Sequence, residues 1–212
     1  MARGHKEALR AAARTLLRRK GLQATTARDL VEESDTNLAS IGYHFGSKDA
    51  LMGAALTDLV REWSERPVAA GRQAYGTGPG EPLAAALRTM LDGLGERRPE
   101  ILAVLEAVVA SGRGDPVGEA LPGALRGTLA SVTAGMQDSA PGLSAEEAAA
   151  AAAVVVALHD GLALLSTVAP DAVPEPEAVL VALAGLGALL LPVVGMDAKQ
   201  VPTLIEDRGG RK

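Results

Sequence analysis

Residues 26–51 read TARDLVEESDTNLASIGYHFGSKDAL, and their spacing predicts three helices separated by two short turns. Thr26 and Asp29 are typical of a helix N-terminus, because the side chain of each can accept a hydrogen bond from the backbone amide of the other. Leu30 and Val31 then fall on one face of the first helix and predict its inward side. The first helix is therefore expected to begin after Thr26 and to end at Asp35.

The second helix of this stretch is short and has a defined inner side. Asn37 is a favourable cap before it, and Gly46 is suited to end it. Ile41 and Phe45 lie four residues apart, so both are expected to point at the same core. A short helix anchored in this way suits insertion into a DNA major groove. Its outer faces are predicted to carry Leu38, Ala39, Ser40, Gly42, Tyr43 and His44.

Residues 24–52, ATTARDLVEESDTNLASIGYHFGSKDALM, resemble the DNA-binding helix-turn-helix of TetR-family transcriptional regulators. The resemblance is strongest over residues 41–51, and Thr26, Arg28 and Leu30 stand upstream at the expected distances. It covers the first quarter to third of the chain, while the remainder agrees in length, helical pattern and one ALHDGL segment.

The chain departs from the family pattern at three positions. Asp35 stands where the family usually has Gly, and Asp tolerates the left-handed conformation that a turn requires. Thr36 stands where an apolar residue is usual. Many members have Tyr at the position of Gly42, whereas here Tyr43 follows it.

The resemblance implies a sequence-specific, dimeric regulator that binds double-stranded DNA at a near-palindromic operator, most simply a repressor released by a small effector. Phosphate contacts fix register, and base contacts carry specificity. The residues predicted to face bases or the groove wall are Leu38, Ala39, Ser40 and Tyr43, and those predicted to hold phosphates are Thr26, Arg28, His44 and Lys48. Asn37 and Gly42 complete the predicted DNA-binding set. Because Leu38 and Ala39 donate no hydrogen bonds, we expect them to meet thymine methyl groups.

Composition indicates an all-α chain with little scope for catalysis. The 212 residues are 48% apolar but include only four aromatic residues, so Ala, Leu and Val must build the core, and Ala and Leu favour helix. There is no cysteine, and the three histidines are far apart, which gives no metal-ligand spacing. We therefore expect no catalytic residue, metal or cofactor, and a protein that is not an enzyme.

Charge is unevenly distributed along the chain. The total is −5, but residues 1–20 contain seven basic residues and one acidic residue. This is a balance of +6 and leaves −11 for the rest of the chain. A basic start on an acidic body fits a protein that presents one end to phosphates, although a solvated helix face would look the same.

Helical periodicity predicts about nine helices in two domains. Residues 1–50 form the predicted helix-turn-helix domain, which starts with a short arm at residues 3–6. Helix four, at about 47–66, is expected to link this domain to the body and to stop before Pro67. Residues 51–195 are the expected helical body, for which the resemblance implies ligand binding and dimerisation, and residues 196–212 are expected to be a poorly ordered tail. A helix predicted over 117–138 is expected to kink or to form a separate turn near Pro122.

The last two predicted helices expose more apolar surface than a small domain can cover. Residues 178–195 carry no charge, which fits a buried subunit interface better than a membrane span without charged anchors. The family resemblance implies that these helices form a four-helix bundle with a second copy. The predicted interface consists of Val154, Ala157, Gly161, Leu165, Leu183, Leu186 and Leu190.

The resemblance also implies an effector pocket among the helices of the body. Scarcity of aromatic residues argues against a stacking site for flat cationic dyes. The predicted lining is mostly aliphatic: Met90, Leu94, Leu102, Leu105, Val109, Leu125, Leu129 and Met136. His159 and Asp160 are the predicted polar contacts, and as neighbours on a helix they are not expected to face each other.

The chain is thus predicted to be a cytoplasmic regulator without membrane attachment. The alternative is a helical-bundle ligand-binding protein or enzyme that does not bind DNA. A small membrane-associated protein that uses residues 178–195 is a further alternative.

Overall fold

The structure is a computed structural model that describes residues 2–78 and 80–195. All regular secondary structure over these residues is helical, which confirms the all-α prediction. The helices are α1 (Ala2–Lys20), α2 (Ala27–Ser34), α3 (Leu38–Phe45), α4 (Lys48–Gln73), α5 (Glu81–Leu91), α6 (Arg98–Ser111), α7 (Pro116–Glu119), α8 (Leu121–Ser139), α9 (Ala145–Val168) and α10 (Pro176–Leu190), with a 3-10 turn at Pro170–Ala172. The predicted tail at 196–212 lies outside the described residues.

The chain packs as two compact units that are each discontinuous in sequence. The head unit contains Met1–Glu62 and Gly93–Gly127, and the body unit contains Trp63–Asp92 and Thr128–Lys212. The head unit therefore combines α1, α2, α3 and the first part of α4 with α6, α7 and the start of α8. The functional division into residues 1–50 and 51–195 stays a prediction.

Helix α1 supplies the centre of the head unit core. Leu9, Ala13, Leu16 and Leu17 recur on one face and are fully buried, as their spacing predicts. The side chains packed around this stripe come from α2, α3, the first half of α4 and α6, and they include Leu30, Ile41, Leu51, Met52, Leu56, Leu59, Ala103 and Ala107. Burial of this stripe fixes α2 and α3 against α1.

The N-terminal boundary was predicted wrongly. The expected arm at residues 3–6 is helical, because α1 begins at Ala2. Lys6 lies in the first turns of this helix, with its Nζ atom 5.9 Å from the centroid of the Phe45 ring. A cation over an aromatic face is stabilised, and this contact favours continuing the helix to its start.

The predicted end of helix four before Pro67 was also wrong. Helix α4 continues through Pro67 to Gln73. A proline inside a helix removes one backbone hydrogen bond and costs roughly 3 kcal/mol. Packing overrides this cost: beyond the proline, the backbone at Gly71 approaches α5 so closely that a Cβ there would lie 2.9 Å from the carbonyl oxygen of Pro82.

The expected break near Pro122 is present as a separate short helix, α7, before α8. Pro122 is the second residue of α8, where its missing amide would have no helical partner in any case. The close approach of α7 to the end of α6 requires Gly118, because a Cβ at this position would lie 2.2 Å from the backbone nitrogen of Ser111.

Candidate nucleic-acid interface

The start of α2 is fixed by the predicted capping box. Asp29 donates its backbone amide to Thr26 Oγ1 at 3.2 Å, and the Thr26 amide donates to Asp29 Oδ2 at 2.8 Å. Lys20 Nζ lies 2.6 Å from the other carboxylate oxygen of Asp29. Hydrogen bonds from Lys20 and then from Thr26 lower the pKa of Asp29, so this carboxylate stays charged.

The turn between α2 and α3 explains two departures from the family pattern. Asp35 has φ 50°, which is the left-handed conformation expected of it. The Thr36 hydroxyl lies 2.8 Å from Ser34 Oγ, so the unusual polar side chain has a partner within the turn. The chain replaces the usual glycine and methyl group with residues that suit the same backbone.

Asn37 caps α3 as predicted, and it also determines the environment of Ser40. Its Oδ1 atom accepts from the Ser40 amide at 3.0 Å and from the Ser40 hydroxyl at 3.2 Å. Ser40 is buried, with 9% exposure, so its placement on the outer face was wrong. The hydroxyl turns towards the cap because Asn37 and Ser40 are three residues apart, one helical turn.

The outer face of α3 is apolar and open. Leu38 is 62% exposed and Tyr43 is 80% exposed. Ala39 and Gly42 are also exposed between them, and a Cβ built on Gly42 would meet no atom within 4 Å. The inner face carries the buried Ile41 and the partly buried Phe45, as their spacing predicts.

An aromatic row continues from this face towards α1. The Tyr43 and His44 rings meet edge-on with centroids 4.8 Å apart, and the His44 and Phe45 centroids are 6.5 Å apart. Lys6 of α1 lies beyond Phe45 and is outside the predicted DNA-binding set.

Two predicted phosphate contacts have different surroundings. Arg28 is exposed on α2, without an ion pair among the described residues. Lys48, in the first turn of α4, is partly held by its neighbours: its Nζ atom lies 3.3 Å from the Thr25 carbonyl oxygen and 3.4 Å from Asp49 Oδ1. Thr26 is exposed and His44 is partly exposed.

Much of the N-terminal positive charge is used within the head unit. Arg10 makes a two-atom contact with the buried Asp58. Arg18 bridges Glu62 and Glu100, with nitrogen–oxygen distances of 2.8 and 2.6 Å. Arg19 and Lys20 are also paired, with Glu33 and Asp29. A count of basic residues therefore overstates the charge that faces a partner.

The predicted effector residues divide between the two units. The head unit contains Leu94, Leu102, Leu105, Val109 and Leu125, and the body unit contains Met90, Leu129, Met136, His159 and Asp160. In the head unit, Leu102, Leu105 and Val109 line one groove.

The expectation that His159 and Asp160 would not face each other was wrong. His159 Nδ1 lies 3.1 Å from Asp160 Oδ1. The imidazole is also edge-on to the Trp63 ring at a centroid distance of 6.2 Å. This contact makes His159 a mostly shielded residue, while Asp160 remains exposed.

The residues predicted at the interface between copies are open on α9 and α10. Val154, Leu186 and Leu190 are 65%, 56% and 58% exposed. Ala157 and Gly161 are exposed, and Leu165 and Leu183 are partly buried. Four residues outside the predicted set are also exposed: Leu164, Val168, Val181 and Leu189.

Two further observations bear on partners. Among the described residues, no group of three or more His, Cys, Asp and Glu side chains is placed to hold a metal ion. By length and composition, the described part of the chain has one helix capable of crossing a membrane, α9, with mean hydropathy 2.0 over its most apolar window. The uncharged α10 is shorter, at 15 residues.

A capped recognition helix, held by two others and open on its outer face, defines a helix-turn-helix protein of the DNA-binding class. The family model for "Bacterial regulatory proteins, tetR family" matches residues 9–55. A second model, "BetI-type transcriptional repressor, C-terminal", matches residues 79–191, which is more than half of the chain. The chain belongs to the TetR family of transcriptional regulators.

Solved structures of regulators and of a multidrug binding protein share this fold. A transcriptional regulator from Rhodococcus sp. Rha1 is 25% identical, with a TM-score of 0.65 and coverage of 87% of this chain and 96% of that one. The multidrug binding protein EbrR, complexed with proflavin, is 25% identical, with a TM-score of 0.62 and coverage of 86% and 99%. A putative regulator from Pseudomonas aeruginosa PAO1, at 24% identity, shares the fold with a TM-score of 0.62 and coverage of 87% and 89%. A search among curated proteins found no significant match.

Proposed function

We propose that this protein is a dimeric repressor that binds a near-palindromic operator and is released from it by a small, mostly apolar effector. The observation that carries the proposal is the open outer face of α3, where Leu38 and Tyr43 are exposed on a helix whose inner face is fixed in the core. The exposed Ala39 and Gly42 extend this face, and the neighbouring helices α2 and α4 contribute Arg28 and Lys48. A major groove accepts a helix of this size.

The proposed roles follow from position and chemistry. Leu38, Ala39 and Tyr43 face bases or the groove wall, and the apolar pair contacts thymine methyl groups. Thr26, Arg28, His44 and Lys48 hold phosphates, which sets the register. Ser40 acts from behind the helix, because its hydroxyl is committed to Asn37.

The proposed dimer uses α9 and α10. Charge is absent from residues 178–195, and every residue from Ala184 to Leu190 is exposed within a single copy. When the same surface of a second copy covers it, the two heads are related by one twofold axis. They then match two half-sites that are related by the same symmetry. We infer a cytoplasmic protein without membrane attachment, whose apolar helices are covered by protein and not by lipid.

Membrane association is the competing explanation for the same surface. Helix α9 is apolar enough to span, but Glu146 and Glu147 lie in its first turn and Asp160 lies within it. A carboxylate inside a span is costly, which favours a protein partner. Purification without detergent followed by size-exclusion chromatography distinguishes the two: a single dimer peak supports the proposal, and aggregation that only detergent relieves contradicts it.

The effector is proposed to act by favouring a head arrangement that does not fit the operator. Its effect is limited to the difference between its affinities for the two arrangements. The EbrR structure contains proflavin, whereas the shortage of aromatic residues in this chain favours an aliphatic ligand. We propose ligand binding in place of catalysis as the role of residues 51–195.

The decisive experiment is selection of bound fragments from random duplex DNA by the purified full-length protein. The expected result is a near-palindromic motif with thymines in each half-site, bound with an affinity that falls steeply as salt rises. Enrichment of no sequence over bulk DNA at low salt would contradict the proposal.

A further inference from the structure

The head unit contains a groove in which Lys48 is the only lining residue that also belongs to the predicted DNA-binding set. Its volume is about 690 Å³, within the range that small organic ligands occupy. One wall is α6, and the other walls are the loop after α1, the first turn of α4 and α7. The lining residues are Leu22, Gln23, Lys48, Asp49, Leu102, Leu105, Glu106, Val109, Ala110, Arg113, Asp115, Pro116 and Val117.

The floor of the groove is aliphatic. Leu102 and Val109 are 38% and 55% exposed although both are apolar, and they lie with Leu105 along one side of α6. Leu22 and Val117 close the opposite side. None of these lining residues is aromatic, so the groove suits an alkyl chain and provides no ring for stacking.

Glu106 supplies the polar recognition group. Its Oε2 atom is shielded from solvent and has no hydrogen-bond partner among the described residues. A shielded carboxylate oxygen without a donor is unfavourable, and a charged donor is its best partner. A ligand ammonium group that reaches the Glu106 carboxylate would supply this charged donor.

The charge balance of the groove points to the same ligand class. Lys48 and Asp49 form a pair at 3.4 Å and offset each other. Glu106, Arg113 and Asp115 make no ion pair among the described residues, so their formal charges leave the groove with −1. A ligand with one positive charge neutralises the charge of −1 in the groove, whereas a carboxylate ligand makes the groove more negative.

We propose that this groove binds a small aliphatic amine, with its ammonium group at Glu106 and its alkyl chain on Leu102, Leu105 and Val109. The site is in the head unit and touches the first turn of α4, directly after the recognition helix. The inference restricts the effector to aliphatic amines. It rests on the proposed function only for the claim that this ligand regulates DNA binding.

The test is isothermal titration of the full-length protein with n-octylamine at pH 7, with n-octanol and n-octanoate as neutral and anionic comparators. Octylamine is expected to bind at one site per chain, and octanoate is expected not to bind. Glu106→Gln should weaken octylamine binding about tenfold to a hundredfold, since it removes the charged partner. Glu119→Gln, an exposed residue that does not line the groove, should leave binding unchanged.

A second pair of variants locates the ligand. Val109→Lys places a positive charge in the groove and should abolish octylamine binding, while Val108→Lys, at an exposed neighbouring position outside the lining, should not. Equal affinities of wild type, Glu106→Gln and Val109→Lys, or tighter binding of octanoate, would overturn the inference. The titration contains no DNA, so failure here leaves the DNA selection experiment unaffected, and failure of that selection leaves this test intact.

Discussion

The outer face of α3 and the surface of α9 and α10 both expose large apolar side chains, but in different settings. On α3, Leu38 and Tyr43 are separated by small residues, and Arg28 and Lys48 lie on the flanking helices. On α10, Val181, Leu186, Leu189 and Leu190 are exposed along a helix with no basic residue. The first surface suits a polyanion with apolar groups in its groove, and the second suits only another apolar surface.

The difference shows that exposed apolar area alone does not identify a partner. Isolated apolar residues are normal on protein surfaces, and a larger uncharged region marks an interface. The charges around each surface therefore separate the two predicted roles. Each role can be disrupted without the other, and the following predictions use this separation.

Leu186→Glu should have the largest effect. A carboxylate buried without a partner at the proposed interface should weaken dimer formation about a hundredfold or more. Sedimentation equilibrium measures the dissociation constant. Leu83→Glu, also at an exposed leucine of the body unit, is the matched control and should remain a dimer. An unchanged Leu186→Glu dimer would remove α10 from the interface.

Gly161→Leu sharpens the same comparison. A Cβ at Gly161 meets no atom within 4 Å, so a single copy accepts a larger residue and even gains helix propensity. If α9 packs closely on the second copy of the protein, the added side chain should weaken the dimer about tenfold through overpacking. Circular dichroism of the variant under conditions that keep it monomeric checks that it is folded. A dimer as tight as wild type would show that Gly161 lies outside the contact.

Tyr43→Ala should affect only DNA binding. Removing an aromatic side chain that is covered in the complex should weaken operator binding about tenfold, and the dimer should be unaffected. Fluorescence anisotropy with a selected duplex gives the affinity. Tyr75→Ala is the matched control, since Tyr75 is 63% exposed in the body unit. Equal losses from both substitutions would contradict the assignment of α3 to the groove.

Lys48→Ala should have the smallest effect. It should weaken binding to all duplexes about threefold to tenfold and make the slope of log affinity against log salt shallower by about one. Arg66→Ala, an exposed arginine of the body unit, should change neither quantity. A Lys48→Ala protein with an altered sequence preference would instead assign base recognition to Lys48.

The helix-turn-helix was predictable because its signals are local. Capping at Thr26, the left-handed Asp35 and the pairing of Ile41 with Phe45 each depend on residues within one or two turns. Helix α4 was not predictable past Pro67, since packing of distant residues overrides the local cost of proline. The hydrogen bond of the Ser40 hydroxyl to Asn37 escaped prediction because it depends on the rotamers of both side chains.

Charge was the least predictable property of the site. Arg10 and Arg18 belong to the basic N-terminus, but their partners Asp58, Glu62 and Glu100 are far away in sequence. Only the folded chain shows that Arg10 and Arg18 form ion pairs within the head unit. Likewise, the His159–Asp160 contact depends on side-chain conformations that periodicity does not describe.

The most direct test of the central claim is sedimentation equilibrium of the protein with a selected duplex that contains one near-palindromic site. Two chains per duplex are expected for wild type. Tyr43→Ala should remain a dimer in free solution and bind the duplex weakly, whereas Leu186→Glu should lose the dimer and the two-chain complex together. A wild-type complex with one chain per duplex, or a Leu186→Glu protein that saturates the duplex as a dimer with wild-type affinity, would contradict the account.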